Sequence, residues 1–276
     1  MVQTVKSLWN TTPDVTPLAS GLLDHVQVVE DIAWQRPTGL GLSYNCLDTA
    51  VPTELCPEPT TAKEFSNPSV IEGIEFAVYG GLVCKPFGFD VDTGKSEIER
   101  VFRLKESRGV ERALMETRFV AGPTGPDGPL WDAAVDLTPD LFSPSAREGL
   151  AILEGYAASV YAGVPTIHAP YTVGSLLASQ EAIEPQAGRF YSRLGSKVAV
   201  GAGYEYPNSS PGGGPTDDAE RWMYVTGEVM VARSELISQT HLDTDTNDIV
   251  ALAERRYIAA IDCFTAAVRV GIRGAS

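Results

Sequence analysis

The sequence predicts an α+β fold, and three observations carry the prediction. Helical and strand-like patterns alternate without the regular spacing of βαβ units. One long amphipathic helix, Lys95 to about Arg118, stands out from short apolar runs bounded by turn residues. Gly at 26 and Pro at 19 of 276 residues call for many turns and extended connections, which a helical bundle does not need.

Taken in chain order, residues 1–33 read as a polar, proline-containing arm in which Ala19-Ser20-Gly21-Leu22-Leu23 leads into a short apolar element. Residues 34–65 lack periodicity and carry Pro37, Pro52, Pro57 and Pro59, each fixing φ and removing a donor, as expected of an extended loop. Residues 72–89 read as a hairpin turning at Gly80-Gly81. Thr93 is the expected N-cap of the long helix, whose apolar stripe is Ile98, Val101, Phe102, Val110, Ala113 and Leu114. Arg100, Arg103, Lys105 and Arg108 lie among Glu97, Glu99 and Glu106, which suggests a solvated, ion-paired face.

The second half opens with a helix from Ala146 to about Tyr161, capped by Ser143 or Ser145. Thr166–Ala169 is an expected strand, Thr172–Gln180 a short helix, and Gly195–Gly201 a buried strand. Pro207–Pro215 reads as a flexible loop. Strands are expected at Trp222–Thr226 and Glu228–Ala232, then a helix capped by Thr246 or Asn247 and running to about Arg255. Strands at Tyr257–Ile261 and Ala266–Val270 close the chain.

Charge and targeting signals exclude several functional classes. Lys and Arg total 21 against 36 Asp and Glu, a formal net charge of −15, which is wrong for neutralising phosphate or an anionic membrane. Sequence-specific nucleic-acid binding and membrane association are therefore not expected. Met1–Lys6 shows no basic region followed by an apolar stretch, so no secretory signal is expected, and the default compartment is cytoplasmic. Cys46, Cys56, Cys84 and Cys263 are too scattered for a disulfide scaffold; Cys46 and Cys56 can pair, but the reading is four free thiols.

Candidate chemistry is sparse. His168 ends an apolar strand, where a catalytic histidine can sit, but no nucleophile context accompanies it, and a buried, locally satisfied ring is the expectation. His25 and His241 have no i, i+4 partners for zinc. Asp243, Asp245, Asn247 and Glu254 imitate the spacing of a calcium loop, but the sixth position is Asp248 where a glycine is needed. The expectation there is a helix-capping loop. Gly201-Ala202-Gly203 lacks the rest of a phosphate-binding motif. No catalytic, cofactor or metal site is expected, and an enzyme is the least favoured reading.

The order of these elements resembles the major capsid proteins of tailed bacteriophages, with the Hong Kong 97-type fold shared by encapsulins. Thr166-Ile167-His168-Ala169-Pro170 leading to Ser175-Leu176-Leu177 resembles that family's axial strand and helix. Gly188-Arg189-Phe190-Tyr191 through Leu194-Gly195-Ser196-Lys197-Val198 is similar to its next strand, and Glu254–Tyr257 with Cys263–Val268 to its closing strands. The resemblance implies an N-terminal arm (1–33), extended loop (34–92), spine helix (93–119), a first part of a peripheral domain (120–165), an axial domain (166–226) and peripheral return strands (227–276). It implies self-assembly through pentamers and hexamers into an icosahedral shell around double-stranded DNA. The chain would be located in the virion, be assembled in the host cytoplasm, and have portal, scaffold or decoration proteins as partners. Trp34, Phe65, Phe87 and Phe89 flank the segments expected to cross neighbours and are candidate subunit-interface anchors. Another virion component, such as a decoration, connector or tail protein, is the alternative, and a cryptic enzyme around His168 comes last.

Overall fold

The structure, a computed structural model, describes residues 15–16, 18, 20–30, 42–43, 70–71, 75–84, 91–116, 120–121, 129–132, 134–205, 208–213, 216–246 and 248–272. Its first half contains α1 (Leu22–His25), β1 (Gln27–Val29), β2 (Leu42–Ser43), β3 (Val70–Ile71), β4 (Glu75–Cys84), α2 (Val91–Glu116), β5 (Val120–Ala121) and β6 (Val135–Asp136). The second half contains α3 (Ala146–Val160), β7 (Thr166–Pro170), α4 (Tyr171–Ser179), β8 (Ile183–Gln186), β9 (Arg189–Ser192), β10 (Lys197–Gly201) and a 3₁₀ turn (Ala202–Tyr204). It ends with β11 (Glu220–Thr226), β12 (Val229–Arg233), β13 (Ile237–Asp243), β14 (Asp248–Ile261) and β15 (Thr265–Gly271).

Two large sheets organise these elements. A seven-stranded sheet runs β6-β15-β11-β7-β10-β9-β8, and a six-stranded sheet is built around β14, which pairs with β12, β13, β4 and β5, with β1 beyond β12. Alternation along the strands of the larger sheet separates two cores. Val198, Val200, Met223, Val225, Val268 and Val270 face α3 and α4, packing on Leu150, Leu153, Val173 and Leu177. Ala199, Trp222, Tyr224 and Ala267 face the other way, toward Val110, Leu114 and Met115 of α2 and Leu22 of α1. The N-terminal half of α2 lies on the smaller sheet, where Ile98 and Phe102 meet Ala251, Ala253, Val78 and Leu82. α2 is thus the element common to both sheets.

Why α2 holds this position is visible in its spacing. Gly94, Ile98, Phe102, Glu106, Val110 and Leu114 are all buried and fall four residues apart, forming one ridge along the helix. Gly109 allows the ridge to lie close to β4, since a Cβ there would stand 2.5 Å from Val78 Cγ1. α3 begins with a capping box: Glu148 N–H donates to Ser145 Oγ, and Ser145 N–H donates to the Glu148 carboxylate.

Several expectations are corrected. Gly80-Gly81 is no turn: β4 runs straight through, with Gly80 opposite Ala253 and Gly81 opposite Leu252, because the long partner β14 supplies a ladder for all ten residues. No helix follows Asn247. Ile249, Ala251 and Ala253 are buried at a period of two, and β13 and β14 form an antiparallel hairpin closed by Asp243 opposite Asp248. The long helix starts at Val91, which places Thr93 inside its first turn.

The loop expected to be flexible is pinned at its start. The Asn208 side chain donates to the carbonyls of Tyr204 and Trp222 and accepts from Trp222 N–H. Of the four cysteines, Cys263 is disulfide-bonded rather than free, its partner sulfur lying outside the described side chains. Sequence spacing does not reveal which Cα atoms a fold brings within roughly 7 Å. The Cys46–Cys56 pairing falls on residues outside those described. The larger sheet includes β6 and β15 from outside residues 166–226, and α3 packs against it.

Candidate functional site

His168 sits on β7, opposite Tyr224 of β11, on the face of the larger sheet that meets α2. It is fully buried, with Nδ1 2.9 Å from the Tyr204 hydroxyl and Nε2 3.0 Å from Thr226 Oγ1. The Thr226 hydroxyl spends its single proton on Gly227 O, so it must accept from His168 Nε2–H. Nδ1 then accepts from Tyr204 O–H. The neutral ring is satisfied on both sides, and burial holds it at a pKa of about 3. With both nitrogens committed and no solvent path, the ring is a structural tie among β7, β11 and the 3₁₀ turn.

The residues with calcium-loop spacing are not brought together. Asp243 stands at the end of β13 opposite Asp248, whereas Glu254 is six strand steps further along β14, about 20 Å away at ~3.3 Å per residue. The Asp243 carboxylate instead accepts from Asp245 and Thr246 N–H across the turn, which lowers its pKa. Among the described residues no group of three or more His, Cys, Asp or Glu side chains is placed to hold a metal ion.

Two buried acids on α2 were not singled out from the sequence, and one was assigned to the wrong face. Glu106, expected on the solvated side, occupies the apolar ridge. Its Oε1 accepts from Arg233 at 2.8 Å, Arg255 at 2.6 Å and the Tyr257 hydroxyl at 2.7 Å. Arg233 also pairs with Glu30, just beyond β1. Glu111 accepts from Leu22 N–H and Ser107 Oγ on one oxygen and from Gly203 N–H on the other, each within 3.0 Å. Burial raises the Glu111 pKa against the pull of those three donors. Glu106 thus ties α2 to the smaller sheet, and Glu111 ties it to α1 and to the 3₁₀ turn after β10. The four-residue spacing that placed Glu106 between Phe102 and Val110 was the available signal.

The described surface offers exposed apolar side chains. In the smaller sheet, Tyr79 and Val83 of β4 share the face opposite α2 with Leu252 and Val250 of β14 and with Ile237 of β13. Tyr79 is 73% exposed and Val83 66%. Leu141 and Phe142, ahead of α3, and Leu194, between β9 and β10, are also exposed. Trp34, Phe65, Phe87 and Phe89, the expected interface anchors, lie outside the described residues. Among the described residues no helix is long and apolar enough to cross a membrane.

No protein-family model matches the sequence, and no curated protein matches it. Solved structures do match the fold. The capsid of Ralstonia phage GP4 superposes with a TM-score of 0.55 at 8% identity, over 99% of this chain and 97% of that one. The cyanophage Pam1 capsid gives 0.54 at 11% identity, over 98% and 97%. The SrpI encapsulin of Synechococcus elongatus gives 0.54 at 10%, over 99% and 92%. At such identities the likeness establishes the fold, and it does so along almost the whole chain.

Proposed function

We propose that this chain, folded as a Hong Kong 97-type subunit, is the major shell protein of a bacteriophage capsid. Copies assemble through pentamers and hexamers into an icosahedral shell that encloses double-stranded DNA, and the chain resides in the virion after assembly in the host cytoplasm. The observation that carries this reading is the fold likeness to phage capsids over 98–99% of the chain, with little of it left over for another module. Unpartnered apolar side chains on the described surface support it, since large exposed apolar residues in a continuous patch mark interaction surfaces.

In this reading the mechanism is association rather than turnover. Within the expected arm and loop, residues 20–30 and 75–84 are built into this chain's own sheets, so the reach over neighbours falls to the rest of residues 1–33 and 34–92, with Trp34, Phe65, Phe87 and Phe89 as anchors. α2 is the spine, the smaller sheet forms the body of the peripheral domain, and the larger sheet with α3 and α4 forms the axial domain. The loop around residues 207–215 then lies near a symmetry axis. A net charge of −15 keeps the shell from gripping packaged DNA tightly. Portal, scaffold or decoration proteins are the proposed partners.

Sedimentation velocity at neutral pH, with each fraction imaged by negative stain, tests the proposal. Pentamers, hexamers or closed shells are expected. Rings of another count would favour a connector or tail component, and a compact monomer at high concentration would overturn the reading.

A further inference from the structure

Residues 20–30 hold the two sheets together. Ser20 O accepts from Val200 N–H on β10, Leu22 N–H donates to Glu111, and Leu22 is fully buried. Five residues after Leu22, β1 pairs in parallel with β12 of the smaller sheet, and Glu30 pairs with Arg233. α1 is the part of this strap that docks on the larger sheet.

His25 ends α1 and is buried, only 4% exposed. Among the described residues neither of its ring nitrogens has a hydrogen-bond partner. Its ring meets the Tyr191 ring edge-on, with centroids 6.0 Å apart. The charged groups around it are known from each neighbouring element. Arg189 of β9 and Lys197 of β10 act on it as cations, and Lys197 is held by Glu228 at 2.6 Å. On α1 itself, Asp24 is turned back to accept from Ser20 N–H. On α2, Glu111 is engaged by Leu22, Ser107 and Gly203. On β7, the nearby His168 ring is satisfied by Tyr204 and Thr226. Among the described residues no carboxylate is left to receive a proton-bearing imidazole.

We propose that His25 is an acid-sensitive latch: a proton on its ring releases α1, and with it the strap, from the larger sheet while the sheets themselves remain folded. A cationic ring in this place carries two N–H groups without acceptors next to Arg189 and Lys197, whereas the undocked ring is hydrated. The docked ring titrates near 4 and the free ring near 6.5, so docking weakens about 30-fold at pH 5 relative to neutral pH. The inference goes beyond the shell reading and does not depend on it, because it concerns a single chain.

Hydrogen exchange of the full-length unassembled protein, corrected for intrinsic rates, tests the latch. Between pH 7.5 and 5, protection across residues 20–29, and of the Val200 amide that Ser20 covers, is expected to fall about 30-fold in the wild type while the β7 amides keep theirs. In His25→Phe, which retains a ring against Tyr191, the fall is expected to disappear; His25→Gln serves if the phenylalanine variant does not fold. Equal loss in wild type and variant, or parallel loss across β7, would overturn the proposal. Assembly at neutral pH does not bear on this result, so failure of the latch and failure of the shell reading are told apart.

Discussion

Replacing His168 by glutamine isolates the cost of keeping an imidazole neutral inside the larger sheet. The wild-type ring titrates near 3 when folded against about 6.5 when unfolded, because burial disfavours its cation. The unfolded chain therefore binds the extra proton between those two values, so stability rises with pH through that window and is lost as pH falls below about 6.5. Integrating from pH 7.5 to 5 gives a loss of about 2 kcal/mol from this one residue. A protonated ring would also turn Nδ1–H against the Tyr204 hydroxyl, which now donates to it. Glutamine does not titrate and offers one acceptor for Tyr204 and one donor for Thr226. Urea unfolding of the unassembled protein at the two pH values is the assay. The wild type is expected to lose about 2 kcal/mol more than His168→Gln on acidification. His25 and Glu111 titrate alike in both proteins and cancel in the difference. Equal losses would refute the buried neutral state.

Other perturbations address packing and surface. Glu106→Gln leaves Arg255 and Arg233 short of a counter-charge in the core and is expected to cost about 3 kcal/mol in urea unfolding, the usual scale for breaking a buried ion pair. Gly109→Ala is expected to lower the melting temperature by the equivalent of about 1–3 kcal/mol, because its methyl overlaps Val78, and adding Val78→Ala is expected to recover most of that loss. Ser145→Ala removes the α3 capping box and is expected to cost about 1 kcal/mol by the same unfolding assay. Tyr79→Lys with Val83→Lys changes only exposed side chains. It is expected to leave the urea midpoint within about 0.5 kcal/mol of wild type. If this sheet face is a subunit contact, the same pair abolishes large species in sedimentation.

Much of the architecture was legible because burial leaves a period in the sequence. The α3 boundaries followed from Ser145 and the Leu150, Leu153, Ala157 stripe, and β7, β10, β11 and β12 from short apolar runs between turn residues. Errors arose where local signals met a partner distant in the chain. Gly80-Gly81 has the composition of a turn, but β14 offers both glycines a ladder. Asp243–Asn247 carries helix-capping residues, yet the alternation of Ile249, Ala251 and Ala253 against α2 decides for a strand. Glu106 is charged and was placed in water, and only Arg233, Arg255 and Tyr257, more than a hundred residues away, make its burial tolerable. His168 read correctly because an isolated histidine in an apolar strand with no nucleophile nearby has few uses except as a tie between strands. The His25 environment had no sequence signature, since Tyr191, Arg189 and Lys197 reach it through tertiary packing alone.

The shell reading is tested most directly by electron cryomicroscopy of the largest species the purified full-length protein forms. The account predicts a closed shell of five-fold and six-fold clusters, with α2 running through each subunit between the two sheets and the residue 207–215 loop near the cluster axis. A single-symmetry ring, an open tube, or a preparation that stays monomeric at every concentration would contradict it.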